Sequence, residues 1–184
     1  VKTFQIKDLM IPLTEYATVD EEATLFEAVM ALEQAQLAFD HSRYQHRAIL
    51  ILNKDGKVVG KLSQIDVLRA LEPKYAEMQG SNGLARYGFS RKFMKSMLTQ
   101  YHLWESPLND ICHKAGEKKV KDFMYTPTEG EYVPEDAMLD EAIHQLVLGQ
   151  HQSLLVTKGN DIVGILRLTD VFAAVFHVMK ECSI

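Results

Sequence analysis

Apolar and polar positions along this chain follow two periods, and the same order of periods appears twice. Leu25, Val29 and Leu32 share one face of a predicted helix, and Leu139, Ile143 and Leu146 share the face of another. A short extended piece precedes each helix, Thr18-Val19 or Tyr132-Val133, and an apolar strand follows, Ala48 to Leu52 or Leu154 to Val156. Turn residues come next, Asn53-Lys54-Asp55-Gly56 and Lys158-Gly159-Asn160-Asp161, with Gly, Asn and Asp where positive φ is needed. The chain then returns through Val58-Val59-Gly60 or Ile162-Val163-Gly164, and a second helix is predicted from Asp66 or Asp170. The predicted unit is β-α-β-β-α.

The repetition extends to residue identities. Ile6-Lys7-Asp8-Leu9-Met10 recurs as Val120-Lys121-Asp122-Phe123-Met124, an offset of 114 that also relates Val19, Glu21 and Ala23 to Val133, Glu135 and Ala137. Val59-Gly60 and Asp66-Val67 recur as Val163-Gly164 and Asp170-Val171 at an offset of 104, so the first copy carries ten extra residues, placed around Gln36 to His46. One such unit hides too little surface to fold alone, so the two copies are expected to share a core. The chain is read as an α+β fold with units at 1–72 and 120–184 and a helical insertion at 73–119.

With 184 residues, 47% apolar and 24% charged, the composition is that of a globular chain. A net charge of −5 gives no basic field to hold nucleic acid or an anionic membrane. Cys112 and Cys182 make no disulfide framework and fit a reducing compartment. The longest apolar stretch, Ile162 to Met179, is broken by Arg167 and Asp170 and does not span a bilayer. The first residues show neither a basic segment nor a leader-like apolar block. A soluble cytoplasmic protein is expected, with neither a nucleic-acid nor a membrane partner.

The closing segments Gly60-Lys61-Leu62-Ser63-Gln64-Ile65-Asp66 and Gly164-Ile165-Leu166-Arg167-Leu168-Thr169-Asp170 give the chain its resemblance to a known family. Together with the Lys-Asp-x-Met openings, each unit resembles a CBS domain, and the tandem resembles a Bateman module. The resemblance implies two CBS units related by a pseudo-twofold axis. It also implies clefts for an adenine nucleotide (AMP, ADP or ATP) or S-adenosylmethionine, and a regulatory rather than catalytic role. It further implies that adenine lodges against the partner copy's first strand and hairpin start. That sets Asp66 and Leu62 with Tyr132, Val133, Gln152 and Ser153, and Asp170 with Thr18, Val19, Ala48 and Ile49.

A carboxylate at the start of a helix suits the vicinal hydroxyls of a ribose, and the helix N-terminus beside it suits a phosphate. The same Asp is also a good helix cap. Strand alternation puts Lys61 and Ser63 on one face of the first copy, and Ile165 and Arg167 on one face of the second. Thr169 stands immediately before Asp170. Arg167 replaces the hydroxyl found at Ser63, as a phosphate clamp or as a plug. Arg47, beside His46 at the first hairpin start, is the candidate phosphate contact, and His151 is read as its counterpart. The first cleft is therefore expected to bind more tightly.

No metal site is expected, since Cys112-His113 has no second pair at finger spacing. Gly80, Gly83 and Gly88 lack the Lys-Ser/Thr of a phosphate loop. No nucleophile set is present, and no enzymatic activity is expected. In the insertion, from Lys74, eight Lys/Arg face four Asp/Glu, and Phe89, Phe93, Met97 and Tyr101 recur every four residues, with Met94, Leu98 and Trp104 beside them and Pro107 after. That stripe packs on its own pair, or meets a second protomer or a regulated protein through 89–104. The expected function is an adenosyl-ligand sensor that changes the mutual orientation of its units, in a homodimer. The competing reading is a ligand-free assembly module with self-filled clefts.

Overall fold

The computed structural model describes residues 4–39, 43–72, 74–75, 88–105 and 110–181. Gly80, Gly83, Arg86, Pro107 and Cys182 lie outside them. The first unit contains β1 (Ile11–Pro12), β2 (Thr18–Asp20), α1 (Leu25–Ala38), β3 (Ala48–Leu52), β4 (Val58–Ser63) and α2 (Gln64–Leu71). In the insertion follow α3 (Arg91–Gln100) and α4 (Ile111–Glu117). The second unit contains β5 (Tyr132–Pro134), α5 (Leu139–Gly149), β6 (Ser153–Lys158), β7 (Asp161–Arg167) and α6 (Leu168–Glu181).

β2 pairs parallel to β3, and β5 to β6, and each unit then closes an antiparallel hairpin, giving a three-stranded sheet β2-β3-β4 and a four-stranded sheet β1-β7-β6-β5. Gly56 and Gly159 take φ of +72° and +60° at the hairpin turns, as the turn residues predict. α1 begins in a capping box, with Thr24 accepting from Glu27 N–H at 3.2 Å. α2 and α6 start two residues before the expected Asp, because Ser63 and Arg167 occupy the residue preceding each helix.

The opening segments cross over. β1 pairs with β7 of the second unit through Ile11↔Ile165, while Tyr125 bridges Lys61 of the first. Ile6 N–H donates to Ala137 O at 3.0 Å, and Val120 N–H to Ala23 O at 2.9 Å. A Cβ on Gly60 would lie 2.6 Å from Met124 Sδ, and one on Gly164 would lie 2.5 Å from Ile11 O. Glycine in each Val-Gly strand is thus the space through which the other copy's Lys-Asp-x-Met segment passes. Between the sheets Ile11, Tyr16, Leu50, Leu155 and Ile165 form a shared core.

The insertion differs from one of its expected readings. α3 buries none of its residues, and Phe89, Phe93, Met94 and Leu98 are 40–54% exposed, so the stripe does not pack on its own pair. The insertion is anchored after α3 instead. Leu103 is buried, Trp104 N–H donates to Glu72 at 2.8 Å, and its ring N–H donates to the Tyr75 hydroxyl at 3.0 Å. α4, which the apolar pattern did not reveal, packs against α1.

Candidate functional site

A cavity of about 420 Å3 opens between the two units. From the first unit it is lined by Arg47 and Ala48 at the start of β3, Lys61 and Ser63 on β4, and Asp66 on α2. The second unit contributes His151, Gln152 and Ser153 at the start of β6, with Arg167 and Thr169 at the start of α6. His151 reaches it because its ring lies over Gly149, where any Cβ would meet the imidazole.

In the first half the helix-start carboxylate is both a cap and a cavity group. Asp66 Oδ2 accepts from Ser63 N–H at 2.9 Å and from its hydroxyl at 2.5 Å, while Asp66 N–H donates to Ser63 Oγ at 3.3 Å. Among the described residues Oδ1 has only Arg69, a long contact of 3.5 Å. One carboxylate oxygen therefore serves the helix, and the other is available for a ligand hydroxyl.

The second half is built differently. Arg167 grips Asp170 bidentately, Nε to Oδ2 and Nη2 to Oδ1, both at 2.6 Å, and its Nη1 donates to Tyr44 O at 2.7 Å. Arg167 and Asp170 are 5% and 8% exposed. His46 is packed between Tyr16 and Phe39, with ring centroids 4.3 Å away on each side. Burial, then the Arg167 charge, pushes the His46 imidazole down to about 4. Burial likewise lifts the Tyr16 phenol to about 12. The guanidinium's donors are thus directed at the protein itself, at Asp170 and at Tyr44 O.

Between the halves stands an ion pair that sequence reading missed. Lys61 Nζ lies 2.5 Å from Glu131 Oε2 across the unit boundary. Glu131 Oε1 accepts from the Tyr125 hydroxyl at 2.6 Å and Thr128 N–H at 3.0 Å, and the residue is 1% exposed. Burial opposes its charge, but the donated hydrogen bonds from Lys61, Tyr125 and Thr128 outweigh it and hold the carboxyl below the usual range. A Glu in a Thr-x-x-Glu capping box reads in sequence as an ordinary helix start, so only the tertiary fold brings it to Lys61.

The expected site residues distribute as follows. Arg47, Lys61, Ser63, Asp66, Gln152 and Ser153 line the one cavity together. Leu62 and Val133 are fully buried in the unit cores, and Tyr132 packs in the core between the sheets. These three offer a ligand little beyond their backbone. Of the second set, Ile49 and Ile165 are core residues, Val19 packs on the first core, and Thr18 is part-buried on β2. Ala48, His151, Arg167 and Thr169 line the first cavity, whereas Asp170 faces a separate hollow of about 460 Å3 beside Arg43, Tyr44 and His177.

The pairing of Arg47 with His151 needs correction. Ala48↔Ser63 in one hairpin matches Ser153↔Arg167 in the other, an offset of 105 along this strand. Arg47 therefore matches Gln152, and His46 matches His151. Nine of the extra residues precede β3 and the tenth lies in the hairpin turn. The dipeptide Gln45-His46, repeated as Gln150-His151, was the sequence signal for this register.

Residues 6–73 and 120–177 match the family model described as CBS domain. Among solved structures the fold is similar to that of CBSX2 in complex with AMP, at 16% identity and a TM-score of 0.60, covering 95% of this chain and 98% of that one. It is also similar to the CBS domain of a CBS domain containing membrane protein from Sphaerobacter thermophilus, at 14% identity and a TM-score of 0.61, covering 94% and 88%. CBSX2 from Arabidopsis thaliana, at 16% identity and a TM-score of 0.56, covers 97% and 99%. At such identities the likeness is one of fold. A comparison with the curated proteins finds no match.

Proposed function

The chain belongs to the CBS domain family as a tandem pair, and on that premise we propose that it is a regulatory module binding an adenosyl ligand between its two units. The ligand class is an adenine nucleotide (AMP, ADP or ATP) or S-adenosylmethionine. One observation carries this reading: a single cavity of about 420 Å3 gathers the Asp66 carboxylate, the Ser63 hydroxyl and the Arg47 guanidinium from one unit with Gln152 and Ser153 from the other. A ribose suits the carboxylate, and a phosphate suits the cation at the rim. The fold that holds AMP in CBSX2 supports the choice of ligand.

A ligand touching both units has different contacts in each mutual orientation of those units, and that difference is what shifts their equilibrium. The exposed α3 stripe would carry the signal outward, in a homodimer or to a regulated protein, in the cytoplasm. No helix among the described residues is long and apolar enough to cross a membrane.

The test is a thermal-shift panel of AMP, ADP, ATP and S-adenosylmethionine on the wild-type chain and on Asp66→Ala. A ligand at a hundredfold over its Kd adds about 2.7 kcal/mol of stability. Asp66→Ala is expected to weaken binding by about 10- to 100-fold, the range for a lost hydrogen bond to a charged group. A flat panel sinks the proposal. The competing reading, an assembly module with self-filled clefts, has its support in the buried Arg167–Asp170 pair, and a flat panel with a stable dimer would favour it.

A further inference from the structure

The two halves solve one packing position in opposite ways. Lys61 and Tyr125 form the antiparallel bridge that Ile165 and Ile11 form in the other half. At the offset of 114 that relates Tyr125 to Ile11, the counterpart of Glu131 is Ala17. Ile11 and Ile165 are fully buried and Ala17 is 3% exposed. The fold is therefore satisfied at those three positions by buried apolar residues, Ile11 and Ile165 in the shared core and Ala17 in the first unit's core, and an apolar replacement for a buried ion pair is often neutral or stabilising. A buried Lys61–Glu131 pair at the matching place is not required for packing. It sits instead on the wall of the cavity, which both residues line.

Its effect there is electrostatic. Among the described residues three Lys and Arg side chains line the cavity, namely Arg47, Lys61 and Arg167. Lys61 is held by Glu131 and Arg167 by Asp170. Of these three, Arg47 alone has no carboxylate of the described residues within ion-pair distance. A ligand entering the cavity meets one uncommitted cation and the Asp66 carboxylate. One phosphate is matched by that arrangement, and two further ionised phosphates are not.

We propose that Glu131, by neutralising Lys61, is a specificity-determining residue that makes the cavity favour an adenosine carrying one phosphate over an adenosine carrying three. The proposal rests on the reading of this cavity as a nucleotide site. Glu131 Oε1 is saturated by Tyr125 and Thr128, while Oε2 takes Lys61. An amide at this position keeps the first set of contacts and turns a donor toward the ammonium. Lys61, already 5.3 Å from the centre of the Tyr125 ring, is then released toward the cavity as a second cation.

The experiment is calorimetric titration of the full chain with AMP and with ATP, in EDTA. It compares wild type, Glu131→Gln, and a Lys61→Ile/Glu131→Ala variant that copies the apolar half. Wild type is expected to bind AMP more tightly. Glu131→Gln should improve ATP relative to AMP by on the order of tenfold, as one added cation acting on the extra phosphates through partly screened solvent would give. The double variant should show no such gain, because the gain runs through Lys61. On the wild-type chain alone, raising the salt from low to high should narrow the preference for AMP. A wild-type preference for ATP, or an ATP-to-AMP ratio that Glu131→Gln leaves within twofold, overturns the proposal. Absence of binding by both nucleotides in all three proteins overturns the nucleotide reading itself, and the charge filter with it.

Discussion

Replacing Arg167 with Met tests how much the buried Arg167–Asp170 ion pair contributes to the fold. The guanidinium makes two hydrogen bonds of 2.6 Å to Asp170 and one of 2.7 Å to Tyr44 O. Methionine fills much of the aliphatic volume and makes none of them. Asp170, 8% exposed, is left with Arg43, whose Nη2 is 3.7 Å away and whose side chain is 35% exposed. Removing one partner of a buried pair leaves an uncompensated charge and costs about 3–5 kcal/mol. The lost bond to Tyr44 O lies within that range, since the carbonyl can turn to water. At a urea slope of about 2 kcal/mol/M the unfolding midpoint falls by roughly 1.5–2.5 M. Arg167→Met/Asp170→Ala removes both charges and should recover most of the loss, giving a coupling of at least about 2 kcal/mol. Urea unfolding followed by circular dichroism on the four proteins of the cycle reads both quantities. A single-variant loss under about 1 kcal/mol, or additive variants, would refute the argument that the two buried charges compensate each other.

His46, held neutral with a pKa near 4 by burial and then by Arg167, binds its proton more readily unfolded, near 6.5. Its stabilising contribution is therefore complete above about pH 6.5 and is lost as the pH falls toward 4, by at most about 1.4 kcal/mol per pH unit. Denaturation across that range should show a shallower slope for His46→Phe than for wild type. Gly164→Ala should cost about 1–3 kcal/mol, more than Gly60→Ala, because its Cβ meets the Ile11 carbonyl at 2.5 Å whereas that of Gly60 first meets the flexible Met124 side chain. Comparable melting temperatures for the two variants would sink that ordering. Phe93, 42% exposed on α3, should tolerate Phe93→Ser in the fold while the homodimer weakens. Light scattering at tens of micromolar checks it, and a wild-type chain that runs as a monomer of about 21 kDa removes the dimer.

The order of periods along the chain, with the doubled Lys-Asp-x-Met and Val-Gly signatures, determined the repeat, the β-α-β-β-α unit and the strands of each hairpin. These features rest on local periodicity and turn chemistry, which a linear sequence carries in full. It also placed Ser63, Asp66 and Arg47 near one another, because they flank adjacent hairpin strands. What it could not determine was anything set by contact between the copies. The crossing of the two opening segments brings Tyr125 and Glu131 to Lys61, residues 64 and 70 positions away. Arg167 admitted two readings in sequence, as a clamp on a phosphate or as a plug. The structure shows a third outcome, a buried side chain paired with Asp170 and seated over the Phe39 ring. The α3 stripe showed the same limit, since an apolar face is written in the sequence but its partner is not. Periodicity is a property of neighbours along the chain, whereas burial, pairing and charge compensation belong to neighbours in space.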